Sequence, residues 1–395
     1  MCGGRAAEAL RREGFDGRVV LIGAEREPPY ERPPLSKEYM RGELEREKLY
    51  LLPRDWYSEN GVDLLLGRKA ERLDASRHVV ELDDGARIQF DRLLLATGGR
   101  VRRLEVPGAD LEGIYYLRDI DDSERIGAQL REGCHVVVVG AGFIGSEVAA
   151  SCRLKGLEVT VLEVEEAPLQ RTLGPELGKV FAAIHRDKGV NLRTGVGAKR
   201  FEGTNRVQAV VTTADERIQC DFVVVGVGIA PNVELAMESG IETQNGIVVD
   251  EHCRTSVEGV FAAGDVANHF NPVLGERLRV EHEQNAQRQG AVAALNMLGR
   301  DEPYLEVPWF WSDQYEYSMQ YAGHATRWDE IVLRGSLEER KFTAFYLSEG
   351  RLRAALAINS FRDVRFAREI IKRGGSVDPA RLKDPGTDLR SLIPA

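Results

Sequence analysis

Six residues, Gly140-Ala-Gly-Phe-Ile-Gly145, match the pattern GxGxxG. The apolar run Val136–Val139 before them reads as a buried strand, and Gly145–Lys155 reads as a helix. Between a strand and a helix the pattern is a dinucleotide-binding fingerprint, which a lone match would not be. Gly140 permits the tight turn, Gly142 lets the backbone approach a pyrophosphate, and Gly145 lets helix pack on strand. The turn through Phe143 and Ile144 opens the helix, whose free N–H groups and dipole favour phosphate charge. Glu163 ends the next strand, Val159–Leu162, where a carboxylate accepts from ribose hydroxyls and repels a 2′-phosphate. Val164, Glu165 and Glu166 supply no cation for such a phosphate; Arg171 lies further on. The pattern therefore favours NADH over NADPH.

The chain repeats itself. Gly3 to Gly14 spans the same distance as Gly145 to Gly156, over an Ala-rich helical stretch in each case. A strand and an acidic residue follow both helices, with Glu25 matching Glu163. Later, Asp91-Arg-Leu-Leu-Leu-Ala-Thr-Gly98 matches Asp221-Phe-Val-Val-Val-Gly-Val-Gly228. Two related dinucleotide-binding domains are expected. If Gly3 matches Gly145, the first domain lacks its first strand and two of its three glycines. The economical expectation is a late start or a truncated chain, with a weakened phosphate cradle.

Elements must hold these residues in place. Val19–Ile22, Leu93–Ala96, Val223–Val225 and Val260–Ala263 join the two strands above as short apolar runs, which suit a parallel sheet covered on both faces. Ala6–Arg12 and Gln284–Leu298 read as helices. The alternation implies a doubly wound α/β fold. From about Pro303 aromatic and alternating runs take over, at Trp309–Trp311, Lys341–Leu347 and Leu352–Ile358, and a helix follows at Arg362–Lys372. The expected division is residues 1–118 with 246–303, residues 119–245, and a C-terminal α+β domain over 304–395.

Composition narrows the function. The formal net charge of −10 disfavours a general nucleic-acid binder. No run approaches the roughly 18 apolar residues of a membrane span. Met1–Leu10 lacks the apolar core of a signal peptide. The five cysteines, Cys2, Cys134, Cys152, Cys220 and Cys253, are odd in number and widely spaced. That pattern predicts neither a disulfide framework nor a metal site, and it points to the reducing cytoplasm.

Three further stretches act together: Pro29-Tyr-Glu-Arg32-Pro-Pro-Leu-Ser-Lys37, Ala262-Ala-Gly-Asp265-Val, and Pro308-Trp-Phe-Trp311-Ser-Asp. In this order around a complete GxGxxG they resemble the FAD-dependent NADH:ferredoxin reductases of bacterial oxygenase systems, the group of putidaredoxin reductase and the dioxygenase ferredoxin reductases. The resemblance runs from Gly3 nearly to the C-terminus and departs only at the extreme N-terminus. It implies FAD contacts at Gly3, Glu25, Arg32, Lys37, Ala70, Ala96, Thr97, Arg118, Asp265, His282, Glu283 and Trp311. Gly228 and Glu281 join the NADH side, with Arg171. Lys37 would place positive charge near the flavin, with Glu147 as its ion-pair partner, and these two are the expected catalytic residues.

The reaction implied is hydride transfer from NADH to FAD, then single-electron transfer to a [2Fe–2S] ferredoxin or a rubredoxin serving an oxygenase or cytochrome P450. Arg362, Arg365, Arg368, Lys372 and Arg373 are candidate docking charges for an acidic ferredoxin. The rival within the same architecture is a disulfide reductase, which needs a thiol beside the flavin, and no cysteine falls near Ser36-Lys37. An NADH oxidase could use the same site, and a redox-controlled binding protein like apoptosis-inducing factor would share the architecture.

Overall fold

The computed structural model describes residues 1–394. The principal elements, in chain order, are α1 (Cys2–Arg12), β1 (Val19–Gly23), β2 (Val62–Leu66), β3 (Leu93–Leu95), β4 (Ile114–Tyr116), β5 (His135–Val139), α2 (Phe143–Leu154), β6 (Glu158–Glu163), α3 (Gln170–Asp187), β7 (Asn191–Thr194), β8 (Phe222–Val225), β9 (Val260–Ala262), α4 (Glu283–Met297), β10 (Trp309–Gln314), β11 (Tyr317–Gly323), β12 (Glu330–Ser336), β13 (Lys341–Ser348), β14 (Arg351–Ile358) and α5 (Phe361–Arg373).

The second domain is built on a parallel sheet of order β7-β6-β5-β8-β4. β5 and β8 are almost wholly buried, as their near-continuous valine runs require. The edge strand β4 belongs to this sheet. The expected boundary lies after Arg118, and β4, just before it, pairs with β8 of this sheet.

In the first domain the parallel strands form two separate pairs, β1 with β2 and β3 with β9. Matched to the second domain, their order is β2-β1, an open position, then β3-β9. The place of β5 has no counterpart among the described residues. β1 and β3 border the resulting slot, so Val20, Leu21, Ile22, Leu93 and Leu94 are only half-buried. The expectation that these runs are fully buried is corrected on that ground: no strand among the described residues covers their edges. The helix exits still show the repeat. Gly14 (φ +81°) and Gly156 (φ +82°) both take the left-handed conformation that ends α1 and α2. α1 packs on α4, with Gly290 giving close approach to the Cys2 backbone.

The third domain is an antiparallel sheet of order β10-β11-β14-β13-β12. Its two faces are both covered, by alternate residues of the same strands. Phe345, Leu347 and Ala355 pack on Ala367, Ile370 and Ile371 of α5. Tyr346, Leu356 and Phe310 pack on Leu173, Leu177, Phe181 and Ile184 of α3. α3 bends at Gly174 (φ 80°), just before Pro175, and so lies along the sheet of the third domain while belonging to the second. No helix among the described residues is long and apolar enough to cross a membrane.

Candidate active site

The three domains enclose one connected cleft of about 2440 Å³. Part of this volume is the slot between β1 and β3, lined by Val20, Leu21, Leu93 and Leu94; the rest lies beside Lys37, Asp265 and the glycine turn.

At its centre Lys37 Nζ stands 3.3 Å from Glu147 Oε2, with both side chains buried. Lys37 follows a short 3₁₀ turn, Pro33–Ser36, whose two prolines pre-set the backbone at its start. The Ser151 hydroxyl of α2 donates to the Ser36 carbonyl at 2.7 Å, which pins this turn of the first domain on the second. Glu147 lies in the first half of α2 and accepts from three donors. Lys37 and the Ser36 hydroxyl reach Oε2, and the Ser312 hydroxyl reaches Oε1 at 2.7 Å. One carboxylate thus gathers groups from all three domains.

A second polar group lines the first-domain side. Arg32 pairs with Glu25 at 2.6 Å and donates to the Tyr30 oxygen at 3.0 Å and to the Arg118 carbonyl. Tyr30 in turn donates to Glu25. Burial raises the Glu25 carboxyl, but the Arg32 charge and these hydrogen bonds outweigh it and hold the group below the usual range. Arg118 also pairs with Asp265 at 3.0 Å. Asp265 follows β9 in a short turn opened by Gly264 (φ +81°). Ala96 and Thr97 line the cleft beyond β3, the Thr97 hydroxyl donating to the Asn232 carbonyl at 2.8 Å. Gly3 and Ala70 line it as well.

At the start of α4, Glu281 is ion-paired to Arg279 at 2.5 Å. His282 packs on Phe310 with ring centroids 4.3 Å apart, and its Nδ1 is buried without a partner. Burial pushes His282 down to about 4, with Asp265 opposing and His324 assisting. Burial, then the neighbouring Glu31, raise the Glu283 carboxyl. Trp311 faces the cleft and stacks on Trp309, centroids 5.4 Å apart and planes 28° apart.

The glycine turn separates into packing and binding positions. A Cβ on Gly140 would meet the Gly226 carbonyl at 2.4 Å, and one on Gly145 would meet the Gly140 carbonyl at 2.0 Å. A Cβ on Gly142 would meet nothing within 4 Å. Gly142 caps α2 without a side-chain hydrogen bond, so the first N–H groups of the helix stay free beside the cleft. Phe143, Ile144 and Gly228 share this wall. Arg171 reaches it too and is paired with Glu165 at 2.8 Å.

Of the residues expected from sequence, Gly140, Gly145 and Glu163 do not line the cleft. The two glycines act through packing. Glu163 is buried, and its oxygens accept from the Ala141 N–H at 2.6 Å and the Glu165 N–H at 2.9 Å, so it braces the turn from behind. Sequence reasoning missed Ser36, Ser312 and Arg279. Ser312 carried a signal: strict alternation along β10 puts Phe310, Ser312 and Gln314 on one buried face, and two of those three are polar.

All five cysteines are free. Cys2 lines the cleft, but burial pushes its thiol up to about 12. Burial likewise pushes Cys152 and Cys220 up to about 12 and raises Cys253 well above the ordinary thiol value. A thiol needs to ionise to attack a disulfide, and these do not near neutral pH.

Comparison with known proteins agrees with this geometry. Residues 1–290 match the pyridine nucleotide-disulphide oxidoreductase family model, and residues 309–393 match the reductase C-terminal model. The chain is 40% identical over 390 residues to the anthranilate 1,2-dioxygenase system ferredoxin–NAD(+) reductase component of Burkholderia cepacia, covering 98% of this chain and 96% of that one. The ferredoxin reductase for the CYP199A2 system from Rhodopseudomonas palustris is 37% identical with a TM-score of 0.96, over 100% of this chain and 97% of the other. The covalent putidaredoxin reductase–putidaredoxin complex contains a chain 35% identical with a TM-score of 0.95, over 99% and 95% respectively. With both domain models matched in order and these relatives aligned nearly end to end, this chain belongs to the pyridine nucleotide-disulphide oxidoreductase family and carries that family's reductase C-terminal domain.

Proposed function

We propose that this chain is an FAD-dependent NADH:ferredoxin reductase, which passes electrons from NADH to a [2Fe–2S] ferredoxin or a rubredoxin feeding an oxygenase or a cytochrome P450. The observation that carries the reading is the buried Lys37–Glu147 pair. It joins the two nucleotide domains in the wall of a cleft that the open glycine turn and Trp311 also line. The named relatives are ferredoxin reductases, one of them joined to its ferredoxin.

The residues present fit FAD. The His282 Nδ1 is an orphaned buried atom in the cleft wall, and the Arg32–Glu25 and Arg118–Asp265 pairs present polar groups to the same cleft. When bound, FAD supplies the conversion of one hydride into two single electrons. Lys37 would hold a positive charge where negative charge develops on reduction. Arg32 with Glu25, and Arg118 with Asp265, would present polar groups to the ribityl and phosphate portions. Trp311 and His282 would border the ring, with Ala96, Thr97 and Glu283 beside them. Gly142, Phe143 and Ile144 hold the NADH pyrophosphate, Gly140, Gly145 and Glu163 shape that turn, and Gly228, Glu281 and Arg171 line the nicotinamide nucleotide's path.

The basic face of α5 is the docking surface. Arg362, Arg365, Lys372 and Arg373 are charges on or at the end of this helix, and the Arg368 guanidinium lies 6.0 Å over the Trp309 ring, which stacks on Trp311. Docking there brings a ferredoxin within one aromatic pair of the cleft. Five unpaired cysteines suit the cytoplasm, where thiols stay reduced. Anaerobic addition of NADH to the FAD-loaded protein tests the first half of the reaction. Loss of the oxidised flavin band is expected, and an unchanged band overturns the reading.

A further inference from the structure

The hydroxyl that Ser312 donates to Glu147 is itself backed by a row of buried polar groups. Gln314 Nε2 donates to Ser312 Oγ at 3.2 Å. Gln314 Oε1 lies 3.0 Å from His185 Nε2, and His185 Nδ1 lies 3.0 Å from the Tyr315 hydroxyl. His185, Ser312 and Gln314 are buried, and Tyr315 is half-buried at the outer end. His185 comes from α3 of the second domain, the other three from β10 and the residue after it.

The chemistry of the groups fixes a direction. An amide oxygen only accepts, so His185 carries its proton on Nε2 and leaves Nδ1 to accept from Tyr315. Burial, only partly opposed by Gln314, pushes His185 down to about 4, which keeps the ring neutral. Tyr315 then donates to His185, His185 to Gln314, Gln314 to Ser312, and Ser312 to Glu147. Every dipole points toward the same carboxylate, and hydrogen bonds in series strengthen one another in a low-dielectric interior. The amide interrupts proton hopping, so the row is not a proton path.

We propose that Gln314 and His185 are positioning residues for the Lys37–Glu147 pair. The row fixes the Glu147 carboxylate between donors from the first and third domains and so aims the Lys37 ammonium into the cleft. It also ties α3 of the second domain and β10 of the third domain to that pair. The inference rests on the reductase reading only for its kinetic consequence; the tautomer and its dependence on Gln314 stand without it.

The test has two arms. Histidine ¹⁵N NMR on the whole chain without added cofactor reads the row itself. Three buried histidines, His185, His269 and His282, are expected not to titrate between about pH 5.5 and 8. The one whose signal is absent in His185→Phe and shifted in Tyr315→Phe is expected to be a neutral Nε2–H ring. A His185 that titrates in that range, or carries its proton on Nδ1, overturns the inference. Tyr315→Phe removes a single half-buried hydroxyl, so this arm survives if deeper variants fold poorly. On the FAD-loaded protein, Gln314→Leu is expected to lower kcat for flavin reduction by about tenfold with KM for NADH unchanged, since a misplacement of ~1 Å costs up to ~10²-fold. An unchanged kcat in a folded Gln314→Leu protein overturns the positioning role while leaving the reductase reading intact.

Discussion

Glu147 reaches across a domain boundary to Lys37, with side chains only 6% and 8% exposed and 3.3 Å between charged atoms. Removing one member leaves the other buried without its counter-charge, which costs about 3–5 kcal/mol in such settings. Glu147→Leu is therefore expected to destabilise the fold by about that amount. Lys37→Met is expected to cost less, because Ser36 and Ser312 still donate to the carboxylate. The double variant Lys37→Met/Glu147→Leu should be more stable than Glu147→Leu alone. Urea unfolding measures all three, and a double variant less stable than either single one contradicts this view of the pair.

Acid should weaken the fold through its buried histidines. His185 and His269 are held near 4 against an ordinary value of 6.5, mainly by burial. The unfolded chain binds their protons below 6.5 while the folded chain does not. Stability is thus full above about pH 6.5 and falls as pH drops toward about 4, by on the order of 3 kcal/mol per group. Neither ring nitrogen of His269 has a hydrogen-bond partner, and Tyr304 packs edge-on against the ring. His269→Phe is expected to flatten the acid slope and to raise stability at about pH 7 by about 1 kcal/mol or more. Melting curves between about pH 4 and 8 decide it, and a steeper acid slope in the variant contradicts the assignment.

Charge reversal at Arg365 and Arg368 should weaken ferredoxin reduction without altering flavin reduction by NADH. Steering by surface charge fades with salt, so the loss is expected at about 0.01 M ionic strength and should shrink above about 0.15 M. Equal kcat/KM for ferredoxin in the variant and the parent at low salt moves the docking face elsewhere.

Much of this architecture is legible in residue order, and the exceptions have physical causes. Valine runs announce β5 and β8 because both faces of that sheet are covered. The same kind of run at Val19–Ile22 misleads, since a strand's burial depends on a neighbour that its own sequence does not contain. Ile114–Tyr116 reads as the end of the first domain, but strand pairing gives it to the second sheet. The position of Glu163 at the end of its strand follows from sequence; that its carboxylate turns inward to two backbone N–H groups is a tertiary fact. Ser312 and Gln314 share a face of β10 with Phe310, and a sequence alone does not say whether that mixed face meets solvent or core. Here α3 of another domain closes that face and supplies His185 as partner.

Electrons from NADH should reach an iron–sulfur protein through this cleft, and that transfer can be watched directly. The measurement is anaerobic reduction of a [2Fe–2S] ferredoxin by NADH and the FAD-loaded chain, followed by the bleaching of the oxidised cluster. Catalytic bleaching that requires both NADH and the chain, and is slowed in Lys37→Met, is the predicted result. Oxidation of NADH with no bleaching of any ferredoxin or rubredoxin offered, or equal rates in Lys37→Met, would contradict it.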